Sequence, residues 1–290
     1  MDVIERRILF AGRAIVTCLD TTDIVNKAIE IHSLSELAAA ALGRTLTMGA
    51  FISAQFKSTK HKLTIMVEGD GPLGKIIVLG DYCGKVRGYL QNPTYNLPIR
   101  EDGKIDVGNG VGKNGTLTVI KDFGLKEPYG GKIELVSGEI AEDFTKYFLD
   151  SEQLHSAVAL GVLIKNGKCE KAGGLIVQAM PNCTQEQLVM LEDSMVHFSN
   201  ISSLLKEKSP KEILDFYYEF FEPSVLESIY PVYECSCSRE RVEQAIQSLG
   251  KKEALAIVDE IGYIESTCQF CNKKYIFGRS DVKKIFERNK

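Results

Sequence analysis

Long uncharged apolar runs are scarce in this chain. The N-terminus, Met1-Asp-Val-Ile-Glu-Arg-Arg7, sets acids and bases ahead of an apolar patch that runs only from Ile8 to Phe10. A secretory signal needs an apolar core of roughly seven to fifteen residues, so none is expected, and a cytoplasmic location is. One stretch, Leu37 to Phe56, resembles a membrane span, but it carries Arg44 together with Thr45, Thr47, Ser53 and Gln55. An arginine near the middle of a spanning helix costs roughly 2.5–3.5 kcal/mol. The stretch therefore reads as a buried core helix, and no membrane partner is expected. An excess of one charge is also missing: 35 Lys and Arg stand against 39 Asp and Glu, a formal −4, which excludes a molecule built as a nucleic-acid cation. Tryptophan is absent, which by itself excludes nothing. Gly (25) and Pro (8) are ordinary in number beside 44% hydrophobic and 26% charged residues, so collagen-like and wholly disordered readings are excluded. There is no internal repeat or low-complexity segment. At 290 residues, a chain buries about three-quarters of its unfolded surface, enough for a real core.

Catalytic and nucleotide signatures are missing as well. Gly108, Gly110, Gly112 and Gly115 surround Lys113, yet a phosphate loop would need Gly where Val107 stands and Ser or Thr where Asn114 stands. They read as turn glycines. The four histidines, His32, His61, His155 and His197, have neither ligand spacing nor a neighbouring nucleophile pattern. Glu139, Glu142 and Asp143 read as acids at a helix N-terminus. No catalytic site is expected, and the chain is not read as an enzyme.

Residues 1–180 read as an α+β domain. Ile8–Leu19 is a β-branched run typical of a strand. Ser33-Leu-Ser-Glu36 reads as a capping box opening an alanine-rich helix. Lys62–Glu68, Lys75–Gly80 and Lys85–Leu90, split by turn signals, read as an antiparallel meander. Thr116–Lys121 and Lys132–Ser137 read as further strands, Glu139–Phe148 as a helix, and Ser156–Ile164 and Gly173–Gln178 as buried strands. Composition changes at Pro181. From Thr184 to Tyr230 there are helix signals and no strand signals, with capping boxes at Thr184-Gln-Glu-Gln187 and Ser209-Pro-Lys-Glu212. This is a helical linker, residues 181–230. Phe216, Tyr217, Tyr218, Phe220 and Phe221 cannot all share one helix face, so some must meet a neighbouring domain or lie exposed. The last unit, 231–290, is small enough to need a metal or another staple.

Eight cysteines are unevenly distributed. Cys18, Cys83, Cys169 and Cys183 are scattered and read as small buried hydrophobes. Cys235-Ser-Cys237 and Cys268-Gln-Phe-Cys271 are separated by 30 residues. Two close pairs on different segments suit a tetrahedral thiolate site, and four soft anionic sulfurs favour Zn²⁺ with no open coordination position. The predicted ligands are Cys235, Cys237, Cys268 and Cys271. The same unit has 11 Lys and Arg against 9 Asp and Glu. Its basic tail (Lys273, Lys274, Arg279, Lys283, Lys284, Arg288, Lys290) is the best nucleic-acid hint, although a solvated helical face accounts for it.

These residues carry a resemblance. Gly69-Asp-Gly-Pro-Leu-Gly74, Val86-Arg-Gly-Tyr89, Gly115-Thr-Leu-Thr-Val-Ile-Lys-Asp122, Leu135-Val-Ser-Gly-Glu-Ile-Ala-Glu-Asp143, Ala172-Gly-Gly174, and Cys235-Ser-Cys-Ser-Arg-Glu-Arg241 with Cys268-Gln-Phe-Cys271 make the chain resemble the 33 kDa chaperonin family of redox-regulated bacterial heat-shock holdases, over nearly its whole length. His155 departs from the family pattern, which has Pro there. The resemblance implies a substrate-binding domain, a helical linker and a zinc-bound redox sensor. Reduced, such a protein holds zinc and is inactive. Oxidised, it forms disulfides Cys235–Cys237 and Cys268–Cys271, loses zinc, and binds unfolding or oxidatively damaged proteins without ATP, with a homodimer expected in that form. Independently, a structural zinc supplies roughly 10–16 kcal/mol of folding energy, comparable to a domain's whole stability of about 5–15 kcal/mol. Its loss should melt so small a unit. Two rivals remain: a thiol–disulfide oxidoreductase, which lacks a thioredoxin-like βαβ pattern here, and a zinc-ribbon nucleic-acid binder, which predicts salt-dependent affinity.

Overall fold

A computed structural model describes residues 1–287; Arg288 and Lys290 of the basic tail lie outside the described residues. The chain divides into two compact units, Met1–Glu234 and Cys235 onward.

The first unit opens with a hairpin of β1 (Val3–Leu9) and β2 (Ala14–Asp20). The sequence pattern suggests one strand over Ile8–Leu19. The chain instead reverses at Phe10, Ala11 and Gly12, all with positive φ, and only the glycine signals such a turn. Two helices follow, α1 (Thr22–His32) and α2 (Glu36–Ala54). The expected capping box at Ser33 is not what caps α2. Ser33 closes α1 in the left-handed conformation, and the Ser35 hydroxyl accepts the Ala38 N–H at 3.1 Å. As expected, α2 is a core helix, 94% buried across its most apolar window. Its one arginine, Arg44, donates to the carboxylate and the carbonyl of Glu139.

The meander follows as β3 (Lys62–Glu68), β4 (Ile76–Asp81) and β5 (Lys85–Leu90), then a short helix α3 (Val107–Val111), β6 (Thr116–Asp122) and β7 (Tyr129–Glu134). The last strand lies earlier than the Lys132–Ser137 pattern indicates, because residues 136–140 turn over the start of α4 (Ala141–Glu152). Asp143 builds that turn: its carboxylate accepts the N–H groups of Val136, Ser137, Gly138 and Ile140. Glu139 lies outside the helix and pairs with Arg44, contrary to its expected first-turn place. The glycine-rich loop serves packing. A Cβ on Gly71 would lie 2.4 Å from the Gly110 carbonyl oxygen, and Leu73 N–H donates to that same oxygen at 3.0 Å.

Next come β8 (Ser156–Lys165) and β9 (Lys168–Ala179). Strand β9 is buried, but β8, expected to be buried, is half-buried along its length because it forms a sheet edge. His155 leads into β8, and its carbonyl accepts Ala179 N–H at 2.9 Å. Helices α5 (Gln185–Ser194), α6 (Ile201–Glu207) and α7 (Pro210–Tyr217) follow, with capping boxes at Thr184 and Ser209 as the sequence suggests. The segment then yields what the sequence does not signal: a strand, β10 (Ser224–Ile229), and a two-residue strand, β11 (Val232–Tyr233).

Two sheets result, in the orders β10-β1-β2-β9-β8 and β11-β5-β4-β3-β6-β7. Helix α2 supplies more of the main core than any other element, with Leu42, Leu46 and Phe51 set among Ile65, Val78 and Val119. A second core forms where α5–α7 cover the first sheet: Leu191, Phe198, Ile201, Leu205, Leu214 and Tyr218 meet Leu9, Val16, Cys18, Leu175 and Val177. The aromatic run divides as helical geometry requires. Tyr218 is buried, Tyr217 and Phe221 pack at the margin, and Phe216 and Phe220 are 64% and 87% exposed.

The second unit contains α8 (Arg239–Leu249), α9 (Lys251–Ile261), the hairpin β12 (Tyr263–Thr267) and β13 (Lys274–Gly278), and α10 (Arg279–Glu287). Its core is small: Ile246, Ala254, Val258, Ile264, Tyr275, Phe277, Val282 and Ile285 are its buried members. The fold is α+β, as expected.

Candidate metal centre

Cys235 and Cys237 lie on the irregular segment ahead of α8, whose N-cap is Ser238, its hydroxyl accepting Arg241 N–H at 3.4 Å. Cys268 and Cys271 occupy the turn between β12 and β13. That turn is a knuckle. Cys268 N–H donates to Lys273 O at 3.0 Å, Asn272 N–H donates back to Cys268 O at 2.8 Å, and Asn272 takes a left-handed φ of 55°. Asparagine adopts that conformation at lower cost than most residues.

The four thiols converge, with all Sγ atoms within 4.8 Å of one another. Cys235 and Cys268 are 3.7 Å apart, and Cys237 and Cys271 are 3.4 Å apart. A tetrahedron with metal–sulfur bonds of about 2.3 Å has edges of about 3.8 Å, so the spacing and the all-sulfur donor set fit a zinc ion. Among the described residues this is the one group of three or more His, Cys, Asp or Glu side chains arranged for a metal. The histidines contribute nothing to it; His197, for example, packs against Tyr217.

The electrostatics are uneven. Burial pushes the Cys235 thiol far above its ordinary range and raises Cys271 as well. Burial also acts to raise Cys237, but hydrogen bonds from the Tyr275 hydroxyl, at 3.1 Å, and from the neighbouring thiols bring it down to about 7. Such a group is substantially thiolate at neutral pH, the form that is both ligand and nucleophile. The Tyr275 hydroxyl is a participant that sequence reasoning missed. Its position seven residues after Cys268, on the strand leaving the knuckle, was the available signal. Of the scattered cysteines, Cys18 and Cys169 are buried as expected, and burial raises Cys169 to about 12. Cys83 and Cys183 are only half-buried.

The sequence profile described as Hsp33 protein matches residues 2–278. The chain belongs to the Hsp33 family. Among curated members it is 43% identical over 288 residues to the 33 kDa chaperonin of Caldanaerobacter subterraneus subsp. tengcongensis, covering 99% of this chain and 98% of that one. It is 46% identical over 270 residues to the 33 kDa chaperonin of Ruminiclostridium cellulolyticum, covering 93% and 92%. The crystal structure of the Hsp33 homologue from Thermotoga maritima superposes with a TM-score of 0.91 at 33% identity, covering 99% of this chain and 98% of that one. An Hsp33 chain is a chaperone, and the four clustered cysteines are consistent with zinc binding and redox-active thiols in this one.

Proposed function

We propose that the chain is an ATP-independent holdase switched by oxidation of its cysteine cluster. The observation that carries the reading is the convergence of four sulfurs in a unit with so small a core. In this reading residues 1–180 are the substrate-binding core, 181–230 the linker and 231–290 the sensor. Cys235, Cys237, Cys268 and Cys271 hold Zn²⁺ in the reduced form. Bound there, the ion supplies the cross-link that lets the small unit fold.

The switch runs on the chain's own thiols. Cys268 with Cys271, and Cys235 with Cys237, each lose two electrons as an S–S bond forms. For each pair one hydrogen peroxide takes up the two electrons with two protons, and its O–O bond breaks to give two waters. Disulfide sulfurs no longer serve as anionic ligands, so the staple is lost and the unit melts. Helices α5–α7 then loosen from the first sheet, and the apolar face of Leu9, Val16, Leu175 and Val177 becomes available to unfolding or oxidatively damaged proteins. The cytoplasm, which keeps thiols reduced, is the fitting compartment, and the oxidised form is the one expected to dimerise.

A thiol–disulfide oxidoreductase is the second reading, favoured only by the lowered Cys237 thiol. The nucleic-acid reading is weaker, because Lys274 is paired with Glu265 and Arg279 with Asp259. Light scattering from a thermally unfolding client tests the proposal. Peroxide-treated protein suppresses aggregation at near-stoichiometric ratio without ATP, and reduced protein does not. Turnover of a disulfide substrate without aggregation suppression would favour the oxidoreductase instead.

A further inference from the structure

Strand β10 is an unusual member of the sheet it joins. It pairs antiparallel with β1 from Ile4↔Ile229 to Ile8↔Ser224, with a register slip between Arg6 and Arg7. Its own side chains bury little: Val225 is 69% exposed, Ser224, Leu226 and Ser228 are also exposed, and Ile229 at its end is its one apolar residue packed against the main core. Beneath it, β1 is buried from Ile4 to Arg7. What holds β10 is therefore the backbone ladder, the Ile229 contact at its end and two polar pairings. Arg6 is ion-paired with Glu227, and the Ser228 hydroxyl donates to Glu5 at 2.8 Å. A backbone ladder makes no demand on sequence, and any extended segment can supply one.

The position of β10 in the chain matters as much as its weak hold. It ends six residues before Cys235. Between them β11 pairs with β5 over only two residues, Val232↔Lys85 and Tyr233↔Val86. One short segment thus closes an edge of each sheet immediately ahead of the cysteine cluster. Losing β10 leaves β1 with a row of unpaired N–H and C=O groups. It also leaves Arg6, which is 9% exposed and whose Nε has no hydrogen-bond partner, without its carboxylate. The guanidinium then lacks its carboxylate beside an open edge, so an occupant that restores the pair is favoured over one that covers Arg6 without it.

We propose that the β1 edge is a client-binding site, that β10 occupies it as an internal stand-in, and that an extended client segment replaces it by strand addition. The segment preferred is one with an acidic residue opposite Arg6. This deepens the holdase reading and rests on it for the release of β10.

The test uses full-length protein, reduced and after peroxide oxidation with metal removed. The probes are a peptide of residues 224–229 (Ser-Val-Leu-Glu-Ser-Ile) and its Glu227→Lys form. Hydrogen exchange follows the β1 amides, fluorescence anisotropy follows the labelled peptides, and light scattering follows a client in the same samples. Oxidation is expected to deprotect the β1 amides that face β10 while those bonded to β2 stay protected, the acidic peptide to restore protection, and the lysine peptide to bind at least tenfold more weakly. The full-length Glu227→Lys variant should bind the acidic peptide without oxidation. Persistent protection of the β10-facing amides after oxidation, or equal binding of both peptides, overturns the edge site. If aggregation is still suppressed in that case, the holdase reading survives it. Reprotection by the acidic peptide without client protection shows an edge that opens but takes no client, and overturns both the client site and the holdase reading.

Discussion

Leu214 gives the sharpest handle on the switch. It is fully buried on α7, in the core that the linker helices share with β1, β2 and β9. Truncating such a leucine to alanine removes buried apolar area and leaves a cavity, costing about 2–5 kcal/mol. If α5–α7 must leave the sheet before a client binds, that cost falls on the closed state. A loss of about 3 kcal/mol then raises the open population more than a hundredfold. Reduced, metal-loaded Leu214→Ala should therefore bind an apolar-surface dye and suppress client aggregation without oxidant. Two controls separate release of the helices from general damage. Phe216→Ala, at a 64% exposed position two residues on, should behave as wild type. Leu117→Ala lies fully buried in the other core and should lower the melting temperature without conferring activity. The reasoning is refuted if Leu214→Ala is destabilised while dye binding and client protection stay at the reduced wild-type level, or if Leu117→Ala activates equally.

Cys268→Ser should abolish stoichiometric zinc, because an alcohol is a harder ligand and stays protonated at neutral pH; His197→Ala should leave metal content unchanged, with elemental analysis deciding both. Asp143→Ala withdraws the acceptor from four backbone N–H groups and should cost roughly 2–4 kcal/mol in urea unfolding. For Asp81, burial works to raise the carboxyl, but hydrogen bonds from Lys62 and Arg87 hold it below its ordinary 3.8. That stabilisation is present above the unfolded value and is lost as pH falls through the folded one. The urea midpoint of the wild type should accordingly drop on acidification below 3.8, and Asp81→Asn should flatten that drop.

The parts of this molecule that are readable from sequence are those decided by local chemistry. Cys235, Cys237, Cys268 and Cys271 announce themselves because a tetrahedral thiolate site needs close pairs on separate segments. Thr184 and Ser209 cap helices because their partners, Gln187 and Glu212, lie three residues on. The misreadings turn on backbone reversals that leave little residue signature and on partners far away in the chain. Ser33, with Glu36 three residues on, is the better cap on paper, and only the termination of α1 assigns it to that helix's C-terminus and leaves Ser35 to cap α2. Glu139 resembles a helix acid until Arg44, 95 positions earlier, claims it. Strand β10 has no alternating pattern to read because neither of its faces is well buried, and its partner lies at the opposite end of the chain. Tyr275 has only its place on the strand leaving the knuckle to mark it, because aromatic hydroxyls carry no spacing rule for thiolates.

The central claim is that the four clustered thiols control chaperone activity through a bound metal. Its most direct test measures zinc, free thiols and client aggregation on one sample before and after peroxide. The account predicts one equivalent of zinc, eight thiols and no protection beforehand. Afterwards it predicts no zinc, four thiols (Cys18, Cys83, Cys169 and Cys183) and suppressed aggregation. Full protection by the reduced, zinc-loaded protein, or oxidation of the four cluster thiols with no gain in protection, would contradict it.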